Sequence, residues 1–352
     1  MARTLVVTVI TVITGVTGVT GVTGIAAGSL PAHAAAWSPA ATVSAPDGVA
    51  SQQQVAIDGS GTATAVWGEE RTAEIDVIKT AQREPGGSWS SPQTLSDPAR
   101  DAKEPQVVAS SDGAVVAAWN ITEGDGHRIM GAHRPAGGPW GAAATVSAPG
   151  GVSRPRLAGN PRGDSVLMWH QRNGLRSSRL AGGAWQTPQP VAAAGLQHEV
   201  ALNPAGVAYA VWKSADSDDI DRVWAARGSS NGRWGTAETL SRADRHGEHP
   251  AVAVDAQGNA QVAWVLRSSR RVVQTAHRPT GGDWSAVTSV SDLSHNAVNP
   301  DVALDAEGNA LTVWQVNVST TDISVAAAWR TAAGAWGRPE ELAASGASPQ
   351  AG

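Results

Sequence analysis

The 352-residue sequence contains no cysteine and no phenylalanine, a single tyrosine and three methionines. Without cysteine, a disulfide scaffold, a thiol nucleophile and any Cys-ligated zinc or iron–sulfur site are excluded. Lysine is scarce too. Lys79, Lys103 and Lys213 are the only three among 26 basic residues, and 31 acidic residues bring the net charge to −5. That balance offers no electrostatic footprint for nucleic acid. Few lysines beside abundant Ala, Gly and Val read as GC-rich coding bias. What the chain does have is tryptophan, 15 in all, and a hydrophobic content of 41%, which rules out wholesale disorder.

Residues 1–34 read as a secretory signal. Arg3 is the lone positive charge, Thr4 to Pro31 is uncharged, and Ala32-His33-Ala34 offers a small-x-small cleavage site. The Gly-Val-Thr repetition from Thr14 to Gly24 makes the stretch less apolar than a membrane span, which needs about 20 strongly apolar residues. The expectation is therefore a cleaved signal over 1–34 and a single exported domain over 35–352. The mature protein is expected to be extracellular and monomeric, with no membrane span.

Repetition decides the fold ahead of local propensity. The phrase from Pro250 to Trp264 recurs from Pro300 to Trp314, and weaker copies end at Trp67, Trp119, Trp169 and Trp212. A glycine stands six residues before each of these tryptophans: Gly61, Gly113, Gly163, Gly206, Gly258 and Gly308. A second series, Trp37, Trp89, Trp140, Trp185, Trp234, Trp284 and Trp336, starts a different segment, as in Trp89-Ser-Ser-Pro-Gln-Thr-Leu-Ser. Each unit of about 50 residues accommodates four short strands with period-2 alternation, and the Asp-x-x-Gly turn closes the first hairpin. That is the size of a propeller blade. The spacing predicts an all-β, six-bladed β-propeller of four-stranded antiparallel blades. Its inner strands are expected at Gln54–Ile57, Gln106–Ala109, Arg156–Ala158, Glu199–Leu202, Ala251–Val254 and Asp301–Leu304. The Trp-initiated segment occurs seven times and the hairpin six, so one terminal copy has no slot of its own.

The unit Pro-x-Val-Ala-x-Asp-x-x-Gly-Asn-Ala-x-x-x-Trp, followed by Gly-Gly-x-Trp-Ser, resembles a repeat of secreted proteins from high-GC Gram-positive bacteria. Those proteins are distantly similar to sialidase-type propellers. The resemblance implies the architecture and not the activity. The sialidase Asp-box, Ser-x-Asp-x-Gly-x-Thr-Trp, is absent. The single tyrosine, Tyr209, stands at a second-strand position held elsewhere by Thr64, Val116, Val166, Gln261 and Leu311, so it is framework and not a nucleophile.

Internal recurrence separates framework from site. An arginine six residues before the second-series tryptophan recurs as Arg83, Arg134, Arg179, Arg278 and Arg330, and is expected to lie on a Trp face or bridge blades. Residues that occur in one or two blades are better candidates. His198, His246, His249 and His295 fall on the loops leading into three consecutive inner strands, near Glu199, Glu248 and Asp301, with Arg156 at the equivalent strand start. These residues are expected to line the mouth of the central channel as a polar funnel. Trp224 and Trp329 fall outside both tryptophan series, and an exposed indole suits the apolar face of a sugar ring. His246-Gly-Glu-His249 lacks the helical zincin spacing, so no metal and no cofactor are expected. The reading is a non-catalytic binding propeller for a polysaccharide or cell-surface ligand. A glycan-active hydrolase or lyase using the funnel carboxylates and histidines is the alternative.

Overall fold

The computed structural model describes residues 41–44, 48–124, 126–172, 174–292, 294–319 and 323–343. The expected signal segment and Trp37 lie outside them. Among the described residues there is no helix long and apolar enough to cross a membrane.

Six antiparallel sheets follow one another along the chain, each with its strands in sequence order. In blade 1 the strands are Ala50–Ile57, Ala63–Thr72, Ile75–Arg83 and Gln93–Thr94. The inner strands of blades 2 to 6 are Ala102–Ala109, Val152–Gly159, Leu196–Leu202, His246–Val254 and Asn296–Leu304. In blade 3 the outer strand is broken into Ala184–Trp185 and Gln189–Ala192, both paired with the third strand. Inner strands of consecutive blades lie against one another. The charge of Asp301 in blade 6 reaches Glu199 in blade 4 and pushes its carboxyl up. The molecule is a six-bladed β-propeller.

The repeat residues build it as their recurrence implies. The six tryptophans of the first series, Trp67, Trp119, Trp169, Trp212, Trp264 and Trp314, are each no more than 4% exposed. Each sits on a second strand, and burying an indole contributes about 5 kcal/mol before entropy is counted. Four of them, Trp119, Trp169, Trp264 and Trp314, are wedged against Val66, Ile129, Leu240 and Val290 of the preceding blade's clusters. The hairpin glycines all take positive φ, from 78° at Gly206 to 92° at Gly113. The turn aspartates work locally, as when Asp58 Oδ1 accepts the N–H groups of Ser60 and Thr62 at 2.9 and 3.0 Å. The arginine–tryptophan pairing holds in three blades. The guanidinium carbons of Arg134, Arg278 and Arg330 lie 6.0, 5.9 and 5.9 Å from the ring centres of Trp140, Trp284 and Trp336.

The inner strands start earlier than the sequence suggests, by up to five residues in blades 5 and 6. A proline at Pro105, Pro155, Pro250 and Pro300 reads as a strand boundary, because it cannot donate to a ladder. Here it occupies a β-bulge, where no ladder bond is needed, and pairing resumes on its upstream side.

Candidate functional site

The bulge positions the site. Its first residue has positive φ in every blade, although none is glycine: Gln52, Glu104, Arg154, Gln197, His249 and Asn299 have φ between 48° and 56°. Left-handed backbone at non-glycine residues is costly and persists where surrounding contacts enforce it. The enforcing contacts run from blade to blade. Gln52 Oε1 accepts the Glu104 N–H at 2.8 Å, Glu104 Oε2 accepts the Arg154 N–H at 2.8 Å, and Gln197 Oε1 accepts the His249 N–H at 2.9 Å. Arg154 has no acceptor in its side chain, so the clamp cannot pass from blade 3 to blade 4 in this way.

Two residues further on, the inner strands present Gln54, Gln106, Arg156, Glu199, Ala251 and Asp301 at one equivalent position. Three of these six, Gln54, Gln106 and Ala251, are uncharged, and the charged three fall in blades 3, 4 and 6, which leaves the ring asymmetric. Between blades 3 and 4 the charges meet: Arg156 Nε donates to Glu199 Oε1 at 2.6 Å, and Arg156 Nη1 donates to the Pro155 carbonyl at 3.1 Å. Burial in the channel wall pushes the Glu199 carboxyl up, against the pull of Arg156 and with a further push from Asp301. Burial also raises Asp301, partly offset by the Val302 N–H that its carboxylate accepts at 2.8 Å. The Glu199 side chain keeps 38% of its surface exposed, and Asp301 is exposed on its strand. The result is one cation and two acids at equivalent positions of the inner strands.

The other expected site residues do not all converge there. His249 belongs to the bulge ring, with its Nε2 3.5 Å from the Gln197 amide nitrogen. His198 is 2% exposed and occupies the position held by proline in blades 2, 3, 5 and 6. Neither of its ring nitrogens has a hydrogen-bond partner, although the backbones of Arg154 and Met168 face the ring. Burial, with Arg156 and His170 nearby, lowers its pKa to about 3, so the imidazole is neutral. The lead-in position suggests a loop tip, but the bulge turns this side chain into the seam between blades 3 and 4.

His246 Nδ1 accepts the Asp221 N–H at 3.1 Å. Asp101 and Asn296 occupy the same slot in other blades, accepting the N–H groups of Asp76 and Arg271 at 3.0 and 2.9 Å. Recurrence marks this slot as a latch between blades. Glu248 is paired with Arg271 at 3.1 Å, and His295 Nδ1 lies 3.0 Å from Ser294 Oγ beside Asp292. Among the described residues, no cluster of three or more His, Asp or Glu side chains could hold a metal ion.

Trp224 is half-buried opposite Trp212 and donates from Nε1 to the Ser214 carbonyl at 3.3 Å, so much of its indole serves packing. Trp329 is 58% exposed on the third strand of blade 6. A concavity that the sequence does not reveal opens on the rim between blades 2 and 3. It measures about 320 Å³ and is lined by Trp140, Trp185, His133, Pro135, Pro139 and Leu180. Its cause is a register change. In blade 3 Leu180 pairs with Trp185 where blade 6 pairs Arg330 with Trp336, and Arg179 instead reaches across to the Ser229 carbonyl at 3.0 Å. Among the described residues no guanidinium therefore covers Trp185.

No protein family matches the chain, and no curated protein resembles it in sequence. Solved structures do share its fold. It is similar to an ulvan lyase of a new polysaccharide lyase family, with a TM-score of 0.58 and 11% identity over 87% of this chain and 84% of that one. It is also similar to the BP39L lectin from Burkholderia pseudomallei, with a TM-score of 0.55 and 18% identity over 83% of this chain and 96% of that one. At such identities the likeness shows the propeller fold alone.

Proposed function

We propose that the protein is a secreted propeller that binds a glycan of a cell surface or environmental polymer, without turning it over, at the channel mouth. The observation that carries this reading is the Arg156–Glu199 pair, with Asp301 as the third charge of an equivalent ring whose other members are uncharged. A planar guanidinium and fixed carboxylate oxygens are suited to bidentate contacts with neighbouring sugar hydroxyls. The fold is one that a lectin and a polysaccharide lyase also use, which makes a carbohydrate ligand a natural first choice without deciding between binding and chemistry.

A second reading has its own support. Two carboxyls with raised pKa values in one channel are the raw material for acid–base cleavage of a glycan. Binding is preferred because Glu199 is tied to Arg156, which holds it as an acceptor. A glycan array on purified protein, beside a reducing-end and unsaturated-product assay on mixed polysaccharides, separates the two. Array binding that falls at least tenfold in Arg156→Ala and Glu199→Gln, with no turnover, is the expected result. Turnover lost in Glu199→Gln establishes the enzyme, and a blank array with no turnover removes both.

A further inference from the structure

Blade 3 differs from the rest of the molecule in charge. Residues 150–194 hold six arginines, Arg154, Arg156, Arg162, Arg172, Arg176 and Arg179, against one acid, Asp164. A segment of formal charge +5 thus stands in a chain whose net charge is −5. Two of these arginines reach the channel mouth without a partner. Arg154 takes the left-handed bulge position, where the other blades have Gln52, Glu104, Gln197, His249 and Asn299. Arg172 lies in the hairpin between the second and third strands, and its N–H donates to the Gly151 carbonyl at 2.8 Å. Both side chains are exposed, and among the described residues neither guanidinium makes a hydrogen bond or an ion pair. Arg162 lies at the other end of the inner strand, in the first hairpin turn.

The neighbours of these cations define a sector. His170 pairs across the hairpin with Ser153; burial lowers its proton affinity and adjacent Arg154 lowers it further, as burial and Arg156 do for His198. The two acids that reach this sector are already engaged. Glu104 accepts the Asn120 amide at 2.5 Å and the Arg154 N–H at 2.8 Å, and Glu199 accepts Arg156 Nε at 2.6 Å. The hairpins on either side are acidic. Blade 2 has Glu123 there, held by Arg100 and Arg128. Blade 4 has Asp216 and Asp221, held by Arg222 and Lys213, with Asp218 and Asp219 between them. An anionic chain on this face is attracted along blade 3 and repelled to each side of it.

We propose that the glycan taken at the channel mouth is acidic, a polymer whose carboxylate or sulfate groups bind Arg154 and Arg172 while its hydroxyls meet Arg156 and Glu199. This rests on the glycan reading above and adds the substrate class. A guanidinium matches carboxylate or sulfate oxygens through two parallel N–H donors, and one without a protein partner keeps all five N–H groups for the ligand. Glu199 and Asp301 repel anions from the channel itself, so the charged groups of the polymer lie over blade 3 and its neutral sugar faces lie inward.

The test measures binding of the full chain to four polymers by biolayer interferometry: polygalacturonate, dextran sulfate, neutral dextran and poly-L-glutamate. At least one acidic glycan is expected to bind tenfold or more tightly than dextran and than poly-L-glutamate, and which one binds separates carboxylate from sulfate. That binding should fall at least tenfold in Arg154→Gln and in Arg172→Gln. It should change less than twofold in Arg162→Gln, which removes the same charge from the opposite face of the blade. Glutamine is the residue of blades 1 and 4 at the Arg154 position, so the left-handed bulge accepts it, and an unchanged Tm verifies the fold. Dextran bound as tightly as the acidic glycans, or an equal loss in all three variants, overturns the inference and leaves a glycan site at Arg156 and Glu199 standing. Poly-L-glutamate bound as tightly as the acidic glycans overturns the glycan reading and the substrate class with it. No binding of any polymer overturns the inference, and the glycan array then decides the reading beneath it.

Discussion

His198 shows how much one substitution in a repeat can change. At this bulge position four blades have proline, which donates no hydrogen bond, and blade 4 has an imidazole sealed in a seam. In the unfolded chain it titrates near 6.5 and in the folded protein near 3. Between those values the unfolded state binds the extra proton, so stability is complete above about pH 6.5 and declines as pH falls toward 3. At pH 5 the loss is about 2 kcal/mol. His198→Pro restores the repeat residue and is expected to flatten this decline, with a Tm at pH 7 close to that of the parent. Thermal melts of both proteins from pH 4 to 7.5 measure it, and parallel curves would contradict the assignment. Asp301 has the opposite sign: a raised carboxyl favours the fold at low pH and weakens it as pH rises through its folded value. Asp301→Asn should therefore melt higher than the parent at pH 7, and the gap should close on acidification. The burial of His198 was available from the sequence in one form only, its alignment with Pro105, Pro155, Pro250 and Pro300. Proximity to other histidines in the chain pointed the other way, toward an exposed funnel.

At the scale of strands, the repeat was legible because each recurring residue solves a local problem. The six hairpin glycines supply a positive φ, and the first-series tryptophans fill the same space in each sheet. The positive-φ bulges were not legible, since Gln52, Glu104 and His249 carry no local signature of left-handed backbone and are held there by the neighbouring blade. A serine that closes the outer strand of blade 2 gives a strand-level prediction: buried Ser147 accepts the Ile129 N–H on its Oγ at 2.9 Å. Removing the hydroxyl that accepts a buried N–H leaves that donor unpaired, so Ser147→Ala should cost about 1–3 kcal/mol in chemical unfolding. Ala192→Ser in blade 3, whose outer strand lacks this serine, is expected to gain less than that, because an irregularity between Leu175 and Arg176 already shifts the register there. The packing of one blade on the next is tested at Gly131. A Cβ there would lie 2.5 Å from the Trp185 indole nitrogen. Gly131→Ala should displace the indole, lower stability by about 1–3 kcal/mol and shift tryptophan emission to the red. Unchanged emission with unchanged stability would show that the rim cleft has room the packing does not suggest.

For the whole molecule, the hydrophobic clusters form a chain of junctions and not a uniform ring. They join blade 1 to 2, 2 to 3, 3 to 4, 4 to 5 and 5 to 6. Among the described residues none joins blade 6 to blade 1. A propeller has no single core, so its resistance to opening is set by its weakest junction, as in other repeat architectures. The exposed apolar residues concentrated on blades 1 and 6 mark where that junction lies. Opening should therefore begin at this seam and run inward from both ends. Under native conditions the second strands of blades 3 and 4, around Trp169 and Trp212, should exchange their amides slowest. Those of blades 1 and 6, around Trp67 and Trp314, should exchange fastest, although all four tryptophans are equally buried in the static structure. Equal burial with unequal protection is what a seam predicts and a closed ring of equivalent junctions does not. Hydrogen exchange read by mass spectrometry at peptide resolution decides it. Uniform protection across the six second strands would mean that blades 6 and 1 are locked as firmly as the rest.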